Sequence, residues 1–156
     1  SFGGLVAHHV AALLQQQGEE VALLVSLDSH PLAGTGEPVG EREIHGTILD
    51  AVAGSGLSPD FGEEQLRRLV AVWRNNDELA KKFVPGRYAG RLLHFAATDA
   101  PDDPAEVWGP YVDAVDVHAV DAVHADLTKP GPLKHIGEIL DAALIHCARQ
   151  SRKEQR

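Results

Sequence analysis

The 156-residue chain contains no methionine, only one cysteine, and no uninterrupted apolar run of membrane-spanning length. Without methionine it is not expected to be an unprocessed translation product, and its first residues lack the basic and apolar regions of a signal peptide. A single thiol, Cys147, rules out an internal disulfide and a thiolate cluster for a metal, and it fits a reducing, cytoplasmic setting. The missing apolar run argues against a membrane span. Basic residues are also short: 14 Lys and Arg stand against 23 Asp and Glu, a formal net charge of −9. No Lys/Arg block forms a phosphate track, so a nucleic-acid partner is not expected.

What is present is an alternation of helical and strand patterns. Residues 3–17 place Leu5, Val6, Val10, Leu13 and Leu14 on what reads as one helical face, and Gly18 marks its end. The run VALLVSLD, residues 21–28, is apolar on both faces and ends at an acid, as suits a buried parallel strand. A Pro/Gly-rich break follows over 29–40. Two amphipathic helical patterns come next, one carrying Ile44, Ile48, Leu49 and Val52, the other Leu66, Leu69, Val70 and Trp73. In the second, Glu63/Arg67 and Glu64/Arg68 are spaced to pair on the outer face. Residues 91–98 and 115–122 read as strands, with a loop at 99–104 and a short helix or turn at 105–112. A last helix is expected from Pro132, with Leu133, Ile136, Leu140, Leu144 and Cys147 as its apolar stripe and SRKEQR as a frayed tail. This alternation predicts an α/β fold with a mostly parallel sheet and a small helical insertion.

The chemistry gathers at three points. Ser1-Phe2-Gly3-Gly4 is the right-hand half of a G-x-S-x-G nucleophile elbow, whose small residues let a strained strand-to-helix turn form. On such a turn the N–H of Phe2 faces a developing oxyanion, aided by the helix N-terminus. By itself S-x-G-G before a helix says little. Asp28, however, ends the strand after that helix, and His124 follows the last strand in VDAVHADL. Ser, then an acid at a strand end, then a late His is the triad order of this architecture.

The competing histidines read differently. His118 falls inside a strand and reads as structural, and His8 and His9 read as surface or partly buried. Asp126 receives no catalytic role. His118, Asp121, His124 and Asp126 match no established ligand spacing, so no metal site is expected. Trp73 and Cys147 read as packing residues.

The stretch SFGGLVAHHVAALLQQQGEEVALLVSLDSHP resembles the thioesterase domains that end nonribosomal peptide synthetases, which have the α/β-hydrolase fold. RLLHFAATDAP, the W-x-P-Y-V at Trp108 to Val112 and the H-x-D-x-x-x-P at His124 to Pro130 resemble the same domains. The resemblance implies that residues 1–156 are the C-terminal part of one such domain, with residues 38–86 as a lid over an acyl chamber. It implies Ser1 as nucleophile, Asp28 as acid and His124 as base. The substrate would be a peptidyl or acyl chain on the phosphopantetheine of an upstream peptidyl carrier domain, with no cofactor bound by this domain. Release would be by hydrolysis or macrocyclisation, as in antibiotic biosynthesis. Phe2-Gly3-Gly4 favours the synthetase-linked type over stand-alone editing relatives. The early strands and a second oxyanion donor would precede Ser1, so the chain alone is expected neither to fold fully nor to catalyse. Two other readings stay open: an N-terminal-nucleophile hydrolase using the amine of Ser1, and a non-catalytic carrier-docking fragment.

Overall fold

A computed structural model describes residues 2–31, 44, 46–49, 62–100 and 102–154. The chain divides into two compact units, one built from Gly3–His30 with Pro85–Arg156 and the other from Pro31–Val84.

The first unit is a three-stranded parallel sheet in the order β1 (Leu24–Leu27), β2 (Tyr88–Ala96), β3 (Val112–Ala119). Parallel strands place their carboxyl ends along one edge, and the segments leaving those ends carry Asp28, Ala97 and the turn at His124. All three strands were expected. β2 begins three residues earlier than the sequence suggested, and β3 is displaced toward the N-terminus, because Val112 pairs with Tyr88 through a register shift that the linear pattern does not reveal.

Side-chain alternation divides the sheet into two faces. Leu93, Phe95, Val120, Leu127 and Ile136 form one core, which Val25, Leu27, Ile139, Leu140 and Ala143 extend. This joins the sheet to α4 (Pro130–Glu154), which begins two residues before the expected Pro132 and continues through SRKE rather than fraying there. Its expected stripe needs correction as well. Leu133 and Leu144 are exposed, and the packed positions include Ile136, Ile139, Leu140 and Ala143. Cys147 is half-buried, its Sγ 3.2 Å from the Ala22 carbonyl.

The opposite face holds Leu24, Ser26, Leu92 and His94 and receives α1 (Phe2–Gln16). The buried positions of α1 are Leu5, His8, Ala11 and Ala12, whereas Val6, Val10, Leu13 and Leu14 are exposed. Of the stripe inferred from hydropathy, Leu5 is therefore packed as expected, and the other four positions are turned away from this sheet. Small residues let the helix axis approach the strands, and polar contacts then fix it: Gln15 exchanges two hydrogen bonds with the backbone of Ala89, at 2.7 and 2.9 Å. The helix closes at Gly18, whose φ of +83° suits a residue without Cβ.

α3 (Pro104–Trp108) links β2 to β3, capped by Asp103, whose side chain accepts the N–H of Ala105 at 2.9 Å.

In the second unit, α2 (Glu63–Lys82) carries acidic residues in its first turn and basic ones in its last, as its dipole favours. Ile44, Ile48 and Val70 form a small core with Leu66, Leu69 and Trp73, as the two amphipathic patterns predict. Leu49 is exposed, and Val52 lies outside the described residues. Arg68 pairs with Glu64 as expected, but Arg67 also turns to Glu64, one turn position away, rather than to Glu63.

Candidate active site

Asp28 stands where β1 stops, in the left-handed region at φ 43°. That conformation is strained for a residue with Cβ, although aspartate tolerates it better than most. It turns the chain sharply out of the strand while the N–H of Asp28 stays bonded to the Phe95 carbonyl at 2.8 Å. The carboxylate is buried and meets donors from three directions. The N–H of Ala97, just past β2, donates to Oδ1 at 3.1 Å. His124 Nδ1 donates to Oδ2 at 2.6 Å, and His30 Nε2 approaches Oδ1 at 3.4 Å.

Burial alone would favour the neutral acid, but the hydrogen bonds from His124 and Ala97, with the nearby imidazoles, outweigh it and hold the Asp28 carboxyl below its ordinary value. The group is a carboxylate at neutral pH.

His124 opens a 3-10 turn, His124–Asp126, whose first N–H donates to the side chain of Asp99 at 2.8 Å. The loop after β2 thus grips both partners, Asp28 through Ala97 and the backbone of His124 through Asp99. With Nδ1–H committed to Asp28, Nε2 is the basic nitrogen of the neutral His124 ring, which is nearly half exposed. Asp126 pairs with Lys129 at 2.8 Å and takes no part in the Asp28 contact.

Behind Asp28 the packing is close. Ser29 is buried, and its carbonyl accepts the indole N–H of Trp108 at 2.7 Å. A Cβ placed on Gly4 would lie 2.5 Å from both Cβ and Oγ of Ser29 and 3.2 Å from Cβ of Ser26. The first turn of α1 therefore sits directly on the segment carrying the acid. Gly3 has no such neighbour, so of the two glycines only Gly4 is packed too closely to accept a Cβ. Phe2 opens α1, at the positive end of its dipole. Ser1 lies outside the described residues.

Three histidines depart from the sequence reading. His8, expected at the surface or partly buried, is fully buried against Trp108 at a ring separation of 5.1 Å, and its Nε2 donates to the Tyr111 carbonyl at 3.2 Å. Burial depresses its pKa although that bond opposes the shift. His94 and His30 were not singled out. His94 is fully buried on β2, paired in register with Ser26, and its Nδ1 lies 2.7 Å from Ser26 Oγ. Burial, reinforced by His30, lowers the pKa of His94 to about 4. His118 stays within β3 beside Phe95, and Asp121 is exposed, so the cluster weighed from sequence does not assemble around His124. Among the described residues, the group of possible ligands that does assemble is Asp28, His30 and His94.

A cavity of about 730 Å³ lies elsewhere, near Tyr88, Arg91, His118 and Cys147, and none of Asp28, His30, His94 or His124 lines it.

Comparison with known proteins accords with this geometry. The family model described as "Thioesterase domain" matches residues 1–144. Malpibaldin synthetase of Mortierella alpina is 32% identical over 153 residues, covering 92% of this chain and 3% of the synthetase. The dimodular nonribosomal peptide synthase of Bacillus subtilis is 31% identical over 176 residues, covering 92% of this chain and 7% of the synthase. The chain thus spans only a small part of these relatives. Among solved structures, the NocB thioesterase domain from the nocardicin cluster superposes with a TM-score of 0.68 at 25% identity, covering 92% of this chain and 61% of that domain. Sheet topology, the carboxyl-edge Asp28–His124 pair and the extent of the match lead to one conclusion: the chain belongs to the thioesterase domain family and has the α/β-hydrolase fold.

Proposed function

We propose that this domain releases a peptidyl or acyl chain from the phosphopantetheine thioester of a peptidyl carrier domain, through an acyl-enzyme on Ser1. The observation that carries the reading is the 2.6 Å contact between His124 and a buried, ionised Asp28 on the carboxyl edge of the sheet, beside the first turn of α1.

In this scheme Ser1 Oγ attacks the thioester carbonyl carbon and its proton passes to His124 Nε2. Asp28 stabilises the imidazolium and holds the ring in the required tautomer. The backbone N–H of Phe2, at the N-terminus of α1, donates a hydrogen bond to the carbonyl oxygen as negative charge develops on it. The tetrahedral intermediate collapses, the C–S bond breaks, and His124 returns the proton to the departing thiol. Water or a nucleophile within the acyl chain then attacks the ester with His124 again as base, which yields an acid or a macrocycle. The domain binds no cofactor in this scheme, and the second compact unit serves as the lid. The working context is cytoplasmic, within a synthetase. No described helix is long and apolar enough to cross a membrane.

The test is steady-state release from a peptidyl N-acetylcysteamine thioester by the protein carrying this chain. Unaltered protein is expected to release the acyl group and Ser1→Ala to lose that activity. Equal turnover by Ser1→Ala would exclude Ser1 as the nucleophile.

A further inference from the structure

We propose that Asp28, His30 and His94 form a transition-metal site, taking a divalent ion such as Zn²⁺, directly behind the Asp28–His124 pair. Each of the three side chains offers one ligand atom, and those atoms lie within 4.8 Å of one another. Tetrahedral Zn²⁺ with bonds near 2.0–2.1 Å needs ligand atoms about 3.3 Å apart, so modest side-chain rotations close the shell. The donor set of two imidazoles and one carboxylate suits Zn²⁺, with a fourth position left for water.

Three further observations point the same way. His94 is fully buried, and its Nε2 has no hydrogen-bond partner among the described residues. Leaving such an atom unpaired is costly, and the Nδ1 of neighbouring His30 shares that state. The other nitrogen of His94 meets Ser26 Oγ at 2.7 Å, the kind of outer contact that fixes the tautomer of a ligating histidine and aims the free nitrogen. His30 is 12% exposed, and its Nε2 already approaches Asp28 Oδ1 at 3.4 Å. A bound cation would draw charge from the carboxylate that supports the His124 imidazolium, so occupancy is inhibitory. That consequence rests on the proposed triad, whereas binding itself does not.

The test starts with calorimetric titration of metal-free protein with Zn²⁺ and, in parallel, visible spectroscopy with Co²⁺. One equivalent should bind, with the intense d–d bands of tetrahedral Co²⁺. His30→Gln and His94→Gln should each weaken Zn²⁺ at least tenfold, and Ser26→Ala roughly 10–100-fold as an outer-shell loss. His118→Gln, on the other sheet face, should change nothing. Circular dichroism identifies any variant that fails to fold, and the less buried His30 provides the ligand deletion least prone to this. Absence of stoichiometric binding, or undiminished affinity in folded His30→Gln, would overturn the site. If Zn²⁺ binds through these histidines but leaves thioester turnover unchanged, the inhibitory consequence is wrong while the site stands. A protein without turnover would still give a decisive metal titration.

Discussion

His124 Nδ1 lies 2.6 Å from Asp28 Oδ2 although 96 residues separate the two in the chain. The contact exists because parallel strands deliver both residues to one edge, and it accounts for an ionised carboxylate in a buried position.

Replacing Asp28 by Asn keeps the shape but removes the acceptor that fixes the His124 tautomer. Thioester turnover should fall by about 10⁴, the size of effect known when a triad acid becomes an amide. KM should change little. A loss below tenfold in kcat would show that Asp28 is not the acid of the reaction.

Asp99 acts at one remove, by accepting the His124 backbone N–H. Asp99→Ala should lower kcat by roughly 10- to 100-fold through misplacement of the imidazole, and Asp99→Asn, which keeps an acceptor oxygen, should restore most of it. If both variants matched the unaltered protein, the turn would be held by other contacts.

The two glycines after Phe2 should respond oppositely to alanine. At Gly4 the new methyl meets buried Ser29 and Ser26, so a loss of about 1–3 kcal/mol is expected from overpacking. At Gly3 nothing lies within 4 Å, and the helix should gain about 0.5–1 kcal/mol. Denaturant unfolding of both variants reads the difference directly.

Acid should weaken the fold before the carboxylates titrate. His94 ionises near 6.5 when unfolded but only at about 4 when folded. Between those values the unfolded chain binds the extra proton, so stability is complete above pH 6.5 and declines as pH falls toward 4. The loss from pH 7 to pH 5 should be about 2 kcal/mol. The lowered pKa of His8 acts in the same direction, and that of Asp28 matters only below its ordinary value near 3.8. Unfolding free energies at the two pH values check this, and His94→Gln should flatten the dependence.

Much of this arrangement could be read from the chain alone. Asp28 at a strand end and His124 beyond the last strand were legible because order and element type restrict where a triad can fall. Helix faces were harder. Hydropathy favours Val6, Val10, Leu13 and Leu14, but close approach to the sheet selects Ala11 and Ala12 and admits His8, whose partner Tyr111 lies 103 residues away. Strand register was likewise invisible, so nothing in the sequence announced that Ser26 faces His94. Trp108, quoted only as part of a motif, proved to anchor the Ser29 carbonyl behind the acid.

The central claim, a seryl acyl-enzyme at Ser1 served by Asp28 and His124, is tested most directly by trapping. The protein is incubated with a fluorophosphonate or a slowly released acyl thioester, digested, and analysed by mass spectrometry. The adduct should appear on the peptide carrying Ser1, and fall sharply in His124→Ala. An adduct on another residue, or labelling undiminished in His124→Ala, would contradict the account.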